Sequence, residues 1–245
     1  MRAADLLAEL DAAPVVDLDA LAGTGGIVVV APHPDDESLG CGGLVAEAAS
    51  RGRNVRVVVV SDGCGSHAGS RLFPPAALRA LREGETLAAA ARLGVPAERV
   101  TFLGLPDAGV PASGPEAERA AVAIAEIARE GRAGAVFVTW RHDPHCDHAA
   151  ASAIVDLCRP DLPGVRVLSY PVWGWTLPPG HEVARPRAFY RLAVARHEAA
   201  KRAAIAEHRS QTTDLVADAP GGFRLERAMI DRLCGPYERF LEETA

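Results

Sequence analysis

One imidazole and three carboxylates fall within a stretch of five residues in the segment Ala-Pro-His-Pro-Asp-Asp-Glu-Ser, residues 31–38. The segment follows residues 26–31, an apolar and β-branched run that predicts a buried strand. Asp and Ser are common helix N-caps, and acidic residues are favoured in a first helical turn, which would explain one carboxylate. Because uncompensated charge is costly at a buried strand end, three carboxylates beside His33 predict a bound divalent metal ion.

A second reactive segment, Arg-His-Asp-Pro-His-Cys-Asp-His, occupies residues 141–148 and holds three of the eight histidines of the chain. Taken alone, this loop suits a metal site and a solvated loop equally well. Together with the first segment, His33, Asp36 and His148 would supply two imidazoles and one carboxylate, leaving a position open for water as in catalytic zinc sites. The same donor set also suits ferrous iron or cobalt.

The elements that must position these residues alternate between strands and helices. Predicted strands cover residues 26–31, 54–61, 100–103, 135–139 and 165–170, and the predicted helices cover residues 39–50, 74–93, 116–129, 148–158 and 196–208. This alternation predicts an α/β fold with a Rossmann-like, mainly parallel sheet, helices on both faces and the site at the carboxyl ends of the strands. A further strand at 188–194 is weaker, residues 171–186 form an ordered loop or lid, and the last thirty residues are ambiguous. With no repeat and no linker, we expect a single domain over residues 1–245.

Composition excludes several classes of protein. The chain has 245 residues with 49% hydrophobic residues, and its net charge of -6 argues against a nucleic-acid partner. No apolar window is long enough for an integral membrane segment, and the acidic residues Asp5, Glu9 and Asp11 are unlike a signal peptide. Five cysteines without a CxxC pair favour a reducing, cytoplasmic compartment. The expected partner is a small molecule, and a homo-oligomer is left open.

The sequence resembles the PIG-L/LmbE family of zinc-dependent de-N-acetylases. The resemblance rests on residues 31–37 and on His145-Cys-Asp-His148, with weaker matches at 61–63, 82–85, 103–107, 201 and 208–211. It implies a Rossmann-like fold, one Zn²⁺ per chain, and removal of the acetyl group from an amino sugar such as N-acetylglucosamine or its conjugate.

The resemblance also implies roles for individual residues. By position, His33, Asp36 and His148 match the metal ligands. Asp35 matches the general base for the attacking water, and His145 matches the group that polarises the carbonyl and protonates the leaving amine. Asp147 would orient one of the histidines from behind. Glu37 would either support the ligands in the same way or complement the dipole of the next helix, and the second role is favoured.

Candidate substrate contacts are less specific, and each has a structural alternative. Arg82 and Glu85 are three residues apart on a predicted helix, so a surface ion pair is the default interpretation. The other candidates lie on rim loops or at a helix end, where loop polarity or C-terminal capping explains them nearly as well; they are Asp62, His67, Asp107 and His208.

Three alternative functions remain in view. In the first, the same catalytic residues would cleave a thiol-sugar conjugate or an antibiotic intermediate. Cys64 and residues 173–181 depart from the family pattern, so the family resemblance alone does not identify the substrate. A nucleotide-binding Rossmann protein is disfavoured because residues 32–34 replace the glycine-rich turn and Gly40-Cys-Gly-Gly43 comes too late. A sugar-binding protein without activity is disfavoured because Asp35 and His145 are present.

Overall fold

The computed structural model describes residues 1–243, and within them one eight-stranded sheet forms the centre of the molecule. Its strands are β1 (Val15–Val16), β2 (Gly26–Ala31), β3 (Val55–Ser61), β4 (Val100–Leu105), β5 (Ala133–Thr139), β6 (Arg166–Tyr170), β7 (Ala188–Ala193) and β8 (Tyr237–Glu242). They lie in the order β1-β7-β8-β6-β5-β2-β3-β4. All neighbours pair in parallel except β8, which is antiparallel to both β6 and β7.

Helices cover both faces of this sheet. They are α1 (Ala3–Asp11), α2 (Leu18–Ala22), α3 (Asp36–Ser50), α4 (Pro75–Arg92), α5 (Pro115–Glu130), α6 (Cys146–Cys158), α7 (Glu198–Glu207), α8 (Arg209–Thr212) and α9 (Arg227–Leu233). Successive residues of β2 point to opposite faces: Ile27 and Val29 join a core with α3, α4 and α7, whereas Val28 and Val30 join a core with α5 and α6. The predicted α/β fold with a mainly parallel, doubly covered sheet is confirmed.

The carboxyl ends of β2 to β5 meet at one edge of the sheet. Backbone hydrogen bonds tie the following loops together, since the N–H of Ser61 donates to the Pro32 carbonyl at 2.9 Å and that of Asp62 to the Leu105 carbonyl at 2.8 Å. The predicted reactive segments therefore leave the sheet side by side.

Several element boundaries differ from the prediction. Helices α3 and α6 begin at Asp36 and Cys146, earlier than the apolar periodicity indicated, so the reactive residues 36–38 and 146–148 lie in first helical turns. The last thirty residues contribute α9 and β8, neither of which was predicted. The expected domain of residues 1–245 stays a prediction, and its final two residues lie outside the described part.

Among residues 1–243, no helix combines the length and the apolar character that a membrane crossing requires.

Candidate active site and metal centre

A cleft of about 290 Å³ opens at the carboxyl ends of the central strands. The segments after β2, β4 and β5 and helix α4 contribute its titratable lining residues, which are His33, Asp35, Asp36, Arg82, Asp107 and His145. The structure thus brings together residues that are far apart in sequence. His33 and Asp147, for example, are in contact although 114 positions separate them. Clefts that bind small molecules typically measure about 300–1,000 Å³, so this one lies at the lower end.

Three predicted ligand atoms converge beside this cleft. The Asp36 carboxylate oxygen Oδ2 lies 3.1 Å from His33 Nδ1 and 3.3 Å from His148 Nε2. Ligand atoms of a tetrahedral zinc lie roughly 3.3 Å apart when the metal–ligand bonds are about 2.0–2.2 Å. Within residues 1–243, His148 Nε2 is buried and has no hydrogen-bond partner. A nitrogen aimed at a carboxylate but bonded to nothing is what a metal ligand requires, so these residues fit a divalent cation.

Distance alone does not decide which two imidazoles would hold a cation. The ligand nitrogens of His33, His145 and His148 all lie within 4.8 Å of one another. His145, however, precedes α6, and its Nδ1 accepts the backbone N–H of Asp147 at 3.2 Å. Because that hydrogen bond occupies Nδ1, the neutral ring carries its proton on Nε2 and presents a donor.

Carboxylates lie behind both predicted ligand histidines. His148 Nδ1 is 3.0 Å from Asp143 Oδ2, and His33 Nε2 is 3.1 Å from Asp147 Oδ2 and 3.2 Å from Asp107 Oδ1. A carboxylate in this position fixes the tautomer and orientation of a ligand imidazole. Asp147 thus contacts His33, whereas the partner of His148 is Asp143, which sequence reasoning did not single out.

The electrostatics of the cluster favour positive charge. Burial acts to lower the pKa of His148, but the charge of Asp36 and the hydrogen bond to Asp143 outweigh it and raise the pKa to about 9. Burial also opposes protonation of His33, yet its hydrogen bonds to Asp107, Asp147 and Asp36 raise its pKa. Burial would raise the pKa of Asp36, but the two imidazoles lower it. Groups that attract protons this strongly also attract a divalent cation, which competes with those protons.

Asp35 has an unusual backbone conformation, with φ at 145°, which residues other than glycine rarely adopt. Its backbone N–H donates to Glu37 Oε2 at 3.0 Å, and its carboxylate lies 3.3 Å from Arg82 Nη2. Burial raises the pKa of this carboxyl to about 7, partly offset by Arg82 and reinforced by Asp36. A carboxylate whose pKa lies near neutrality is suited to accept a proton at physiological pH.

Glu37 is completely buried, and it makes specific hydrogen bonds in addition to the favoured interaction with the helix dipole. Besides holding the Asp35 N–H, it accepts a hydrogen bond from the Ser38 hydroxyl at 2.7 Å and lies 3.1 Å from His208 Nε2. Glu37 therefore supports the turn that carries Asp35.

The surface ion pair expected between Arg82 and Glu85 is wrong. Both side chains are buried because this face of α4 packs against the loops of the site and against α8. Arg82 donates to the carbonyls of Gly63 and Pro34 at 2.8 and 2.7 Å, and Glu85 accepts from the hydroxyl and N–H of Ser210.

The five candidate substrate contacts divide into two groups. Arg82 and Asp107 line the cleft, whereas Asp62, His67 and His208 do not. Each of these three has one polar atom engaged elsewhere: Asp62 accepts the Cys64 N–H, His67 pairs with the Ser66 hydroxyl, and His208 Nε2 lies 3.1 Å from Glu37. Their contact with substrate stays a prediction.

One side of the cleft is formed by Trp173, Phe223 and Gln211, of which sequence reasoning missed Phe223. The rings of Trp173 and Phe223 meet edge to face at 5.7 Å between centroids, and the Phe223 N–H donates to the Ser66 carbonyl at 2.8 Å. Trp173 stood in the predicted loop or lid and Gln211 in the weak match at 208–211, but Phe223 lies among residues with no periodic pattern to reveal it.

Comparison with known proteins gives a family match and several structural matches. The model of the PIG-L family, described as GlcNAc-PI de-N-acetylase, matches residues 28–158, which include both reactive segments. A sequence search of curated proteins finds no match.

Among solved structures, N,N'-diacetylchitobiose deacetylase from Pyrococcus horikoshii has a TM-score of 0.64 at 21% identity, covering 86% of this chain and 79% of that one. The A40926 pseudoaglycone deacetylase Dbv21 has a TM-score of 0.67 at 19% identity, covering 90% and 99%. The 4-carboxy-2-hydroxymuconate hydratase GalB from Pseudomonas putida KT2440 has a TM-score of 0.56 at 23% identity, covering 75% and 78%. At these identities the likeness establishes the fold, and the presence of a hydratase means that the reaction must be argued from the site.

Proposed function

Because the chain belongs to the PIG-L (GlcNAc-PI de-N-acetylase) family, we propose that it hydrolyses the N-acetyl amide of an amino sugar or amino-sugar conjugate, releasing acetate and the free amine. The observation that carries the proposal is the cleft in which Asp35 and His145 flank the converging atoms of His33, Asp36 and His148. An amide is a poor electrophile with a poor leaving group, so its hydrolysis needs a base, an acid and electrophilic assistance.

His33, Asp36 and His148 would hold one divalent cation. Two imidazole nitrogens and one carboxylate suit zinc best, with ferrous iron and cobalt as alternatives. When bound, such a cation lowers the pKa of water and polarises a carbonyl. The orphaned Nε2 of buried His148 supports this set over one that uses His145.

Asp35 would accept the proton of the attacking water. Its carboxylate lines the cleft, its backbone is held by Glu37 and its side chain by Arg82. These contacts leave the carboxylate few alternative orientations, so the base is preorganised before substrate arrives.

His145 would donate a proton to the leaving nitrogen and a hydrogen bond to the carbonyl oxygen. The Asp147 N–H fixes the ring through Nδ1, which directs the Nε2 proton away from the backbone. Burial and the neighbouring imidazoles His33 and His148 lower its pKa, so the neutral ring would donate the hydrogen bond to the carbonyl oxygen. Its imidazolium form, once it has received the proton that Asp35 takes from the water, would transfer a proton to the leaving nitrogen.

The substrate contacts would come from the rest of the cleft lining. Arg82 and Asp107 offer a donor and an acceptor for sugar hydroxyl groups, and Trp173 and Phe223 offer aromatic surface for the apolar face of a sugar such as N-acetylglucosamine. A cavity of about 290 Å³ suits one sugar ring with its acetamide and leaves the remainder of a conjugate outside.

The test is acetate release, with zinc supplied, from N-acetylated sugars in free, lipid-linked, thiol-linked and nucleotide-linked form. The thiol-linked member covers the related cleavage of a thiol-sugar conjugate. We expect acetate from at least one member, released about 10²- to 10⁴-fold more slowly by the Asp35→Asn variant. A metal-loaded wild-type protein that releases no acetate from any member would contradict the proposal.

Two further proposals concern the whole chain. Residues 1–245 would act as one deacetylase domain, because β7 and β8, which lie beyond the family match, join the same sheet as β2 to β6. The protein would work in the cytoplasm, because its five cysteines are all free thiols, as a reducing compartment favours.

A further inference from the structure

The buried carboxylate of Asp143, in the loop between β5 and α6, lies close to four donors from two separate parts of the chain. Its Oδ2 accepts the backbone N–H groups of Val172 and Trp173 at 2.9 and 3.0 Å and lies 3.0 Å from His148 Nδ1. Its Oδ1 accepts the N–H of Gly174 at 2.6 Å. With both oxygens engaged, the carboxylate is satisfied without water.

The contact between Asp143 and His148 Nδ1 sets the orientation of His148. With Nδ1 donating to Asp143, the neutral imidazole keeps its lone pair on Nε2. That atom faces Asp36 at 3.3 Å and is the buried nitrogen with no hydrogen-bond partner among residues 1–243. Asp143 therefore determines which nitrogen of His148 is offered to a cation.

The hydrogen bonds from the backbone of residues 172–174 to Asp143 shape one wall of the cleft. The amides of residues 172–174 turn inward at the end of β6 to reach Asp143, and this turn presents the Trp173 side chain to the cleft. Gly174 makes the close approach possible, since a Cβ atom there would lie 2.7 Å from Asp143 Oδ1 and 2.9 Å from the Trp140 ring.

We propose that Asp143 is a positioning residue that couples the metal ligand His148 to the cleft wall that carries Trp173. The inference rests on the proposed function, because it takes His148 as a metal ligand and Trp173 as a substrate contact. One carboxylate then sets both how tightly the cation is held and where the aromatic wall stands.

Asp143→Asn disturbs both tasks because an amide has one acceptor oxygen where the carboxylate has two. Whichever way the amide turns, an NH₂ group faces a backbone or imidazole N–H. We expect a 10- to 100-fold weaker metal affinity, measured by competition with a chelating indicator. We also expect stronger acrylamide quenching of Trp173 fluorescence, assigned by comparison with Trp173→Phe.

Steady-state kinetics add a readout that a general loss of stability would not produce. At saturating zinc, the Asp143→Asn variant should recover most of its kcat while its KM stays raised, because metal restores the ligand set but not the wall. Asp156→Asn is the matched control. Its carboxylate lies in α6 and pairs with Arg141 and Arg159 at the surface, so metal affinity, quenching and KM should stay at wild-type values.

The inference is overturned if folded Asp143→Asn keeps the wild-type metal affinity, or if only one of metal affinity and Trp173 quenching changes. Should that variant fail to fold, ¹⁵N NMR of the metal-loaded wild type decides, with His148→Gln for assignment. A proton on His148 Nδ1 with metal on Nε2 supports the inference, and the reverse arrangement overturns it.

The wild-type controls separate this inference from the proposed function. If the wild type binds metal but releases no acetate, while Asp143→Asn still weakens the metal and loosens Trp173, the function fails and the coupling stands. If the wild type releases acetate and Asp143→Asn changes nothing, the coupling alone fails. A wild type that binds no metal contradicts both.

Discussion

Asp35 and Asp36 are neighbours in sequence, both buried, yet their carboxyl groups have opposite pKa shifts. Burial raises the pKa of both, but Asp36 lies between two imidazoles that reverse the effect, whereas the pKa of Asp35 rises to about 7. Asp35 also has the positive φ described above, which Asp36, in the first turn of α3, does not share. Adjacent residues are thereby fitted for different tasks, one as ligand and one as base.

The first prediction follows from this division. Asp35→Asn removes the base but keeps the shape, so the protein should retain its metal while kcat falls by about 10²- to 10⁴-fold. Asp36→Asn should instead weaken metal binding. Metal content and kcat are measured together for both variants. Equal metal content in the two would show that the assignment to ligand and base is wrong.

The second prediction separates His145 from His148. His148→Ala should lose the metal and the activity together. His145→Ala should keep the metal and lose about 2.7–4 kcal/mol of transition-state stabilisation, the typical contribution of one oxyanion donor. Elemental analysis of both variants beside their kcat values decides. Metal lost from His145→Ala and retained in His148→Ala would reverse the two roles.

A third prediction concerns Glu37, which holds the Asp35 N–H, the Ser38 hydroxyl and His208 with its two oxygens. Glu37→Gln leaves one acceptor oxygen for these three donors, so we expect a loss of about 1–3 kcal/mol of stability. Because the variant also weakens the hydrogen bond that holds the strained turn at Asp35, kcat should fall while the metal content stays at the wild-type value. Chemical denaturation and kinetics measure the two effects, and a change in stability without any change in kcat would contradict a role in positioning Asp35.

At the scale of elements, helix α3 connects the site to the opposite end of the sheet through Glu47. Burial acts to raise the pKa of Glu47, but hydrogen bonds from Arg196 and His197, at 2.8 and 2.7 Å, lower it from 4.5 to about 2. This carboxylate therefore anchors α3 to the segment that precedes α7 as long as it is ionised.

The fourth prediction is a pH dependence with a definite sign. Since the folded-state pKa of Glu47 is depressed, its stabilisation is fully present above a pH of about 4.5 and is lost as the pH falls towards about 2. The stability difference between the wild type and Glu47→Gln should shrink over this range. Denaturation midpoints at several pH values measure it. The exposed Glu118→Gln serves as control and should show no such trend.

The elements also show how far the sequence could predict the site. Strands β2 and β3 were predictable because continuous β-branched runs are typical of strands buried on both faces, and β4 to β6 because short apolar runs alternate with predicted helices. Strand β8 was not, because Tyr-Glu-Arg-Phe-Leu-Glu carries three charges in six residues and Glu238 points inward. Asp143 lay in a predicted reactive loop, but only the fold brings residues 172–174 to its carboxylate.

At the scale of the whole molecule, a buried ion pair joins three elements that are far apart in sequence. Lys201 of α7 donates to Glu238 of β8 at 2.6 Å, and Glu238 also accepts the N–H groups of Gly43 and Leu44 of α3, both at 2.7 Å. Both charged side chains are buried. Their pairing compensates a charge that would otherwise be costly in the core.

The fifth prediction tests this junction. Lys201→Met leaves Glu238 buried without its cation, so the free energy of unfolding should fall by about 3–5 kcal/mol. Adding Glu238→Gln to Lys201→Met should recover part of the loss, because the remaining charge is removed. Urea denaturation of the single and double variants measures the coupling. A loss below about 1 kcal/mol in Lys201→Met would mean that the pair does not balance charge in the core.

The insertion of β8 between β6 and β7 has a consequence for biosynthesis. Strands β2 to β6 pair among themselves, so they can assemble while the nascent chain is still leaving the ribosome. In the sheet formed by residues 1–243, β7 has β1 and β8 as its neighbours, and β8 connects it to the other strands. The first-made strand, β1, must therefore wait with β7 until β8 has been translated. A ribosome that pauses before β8 would hold a partly built sheet with an open edge at β6, exposed to chaperones and to aggregation.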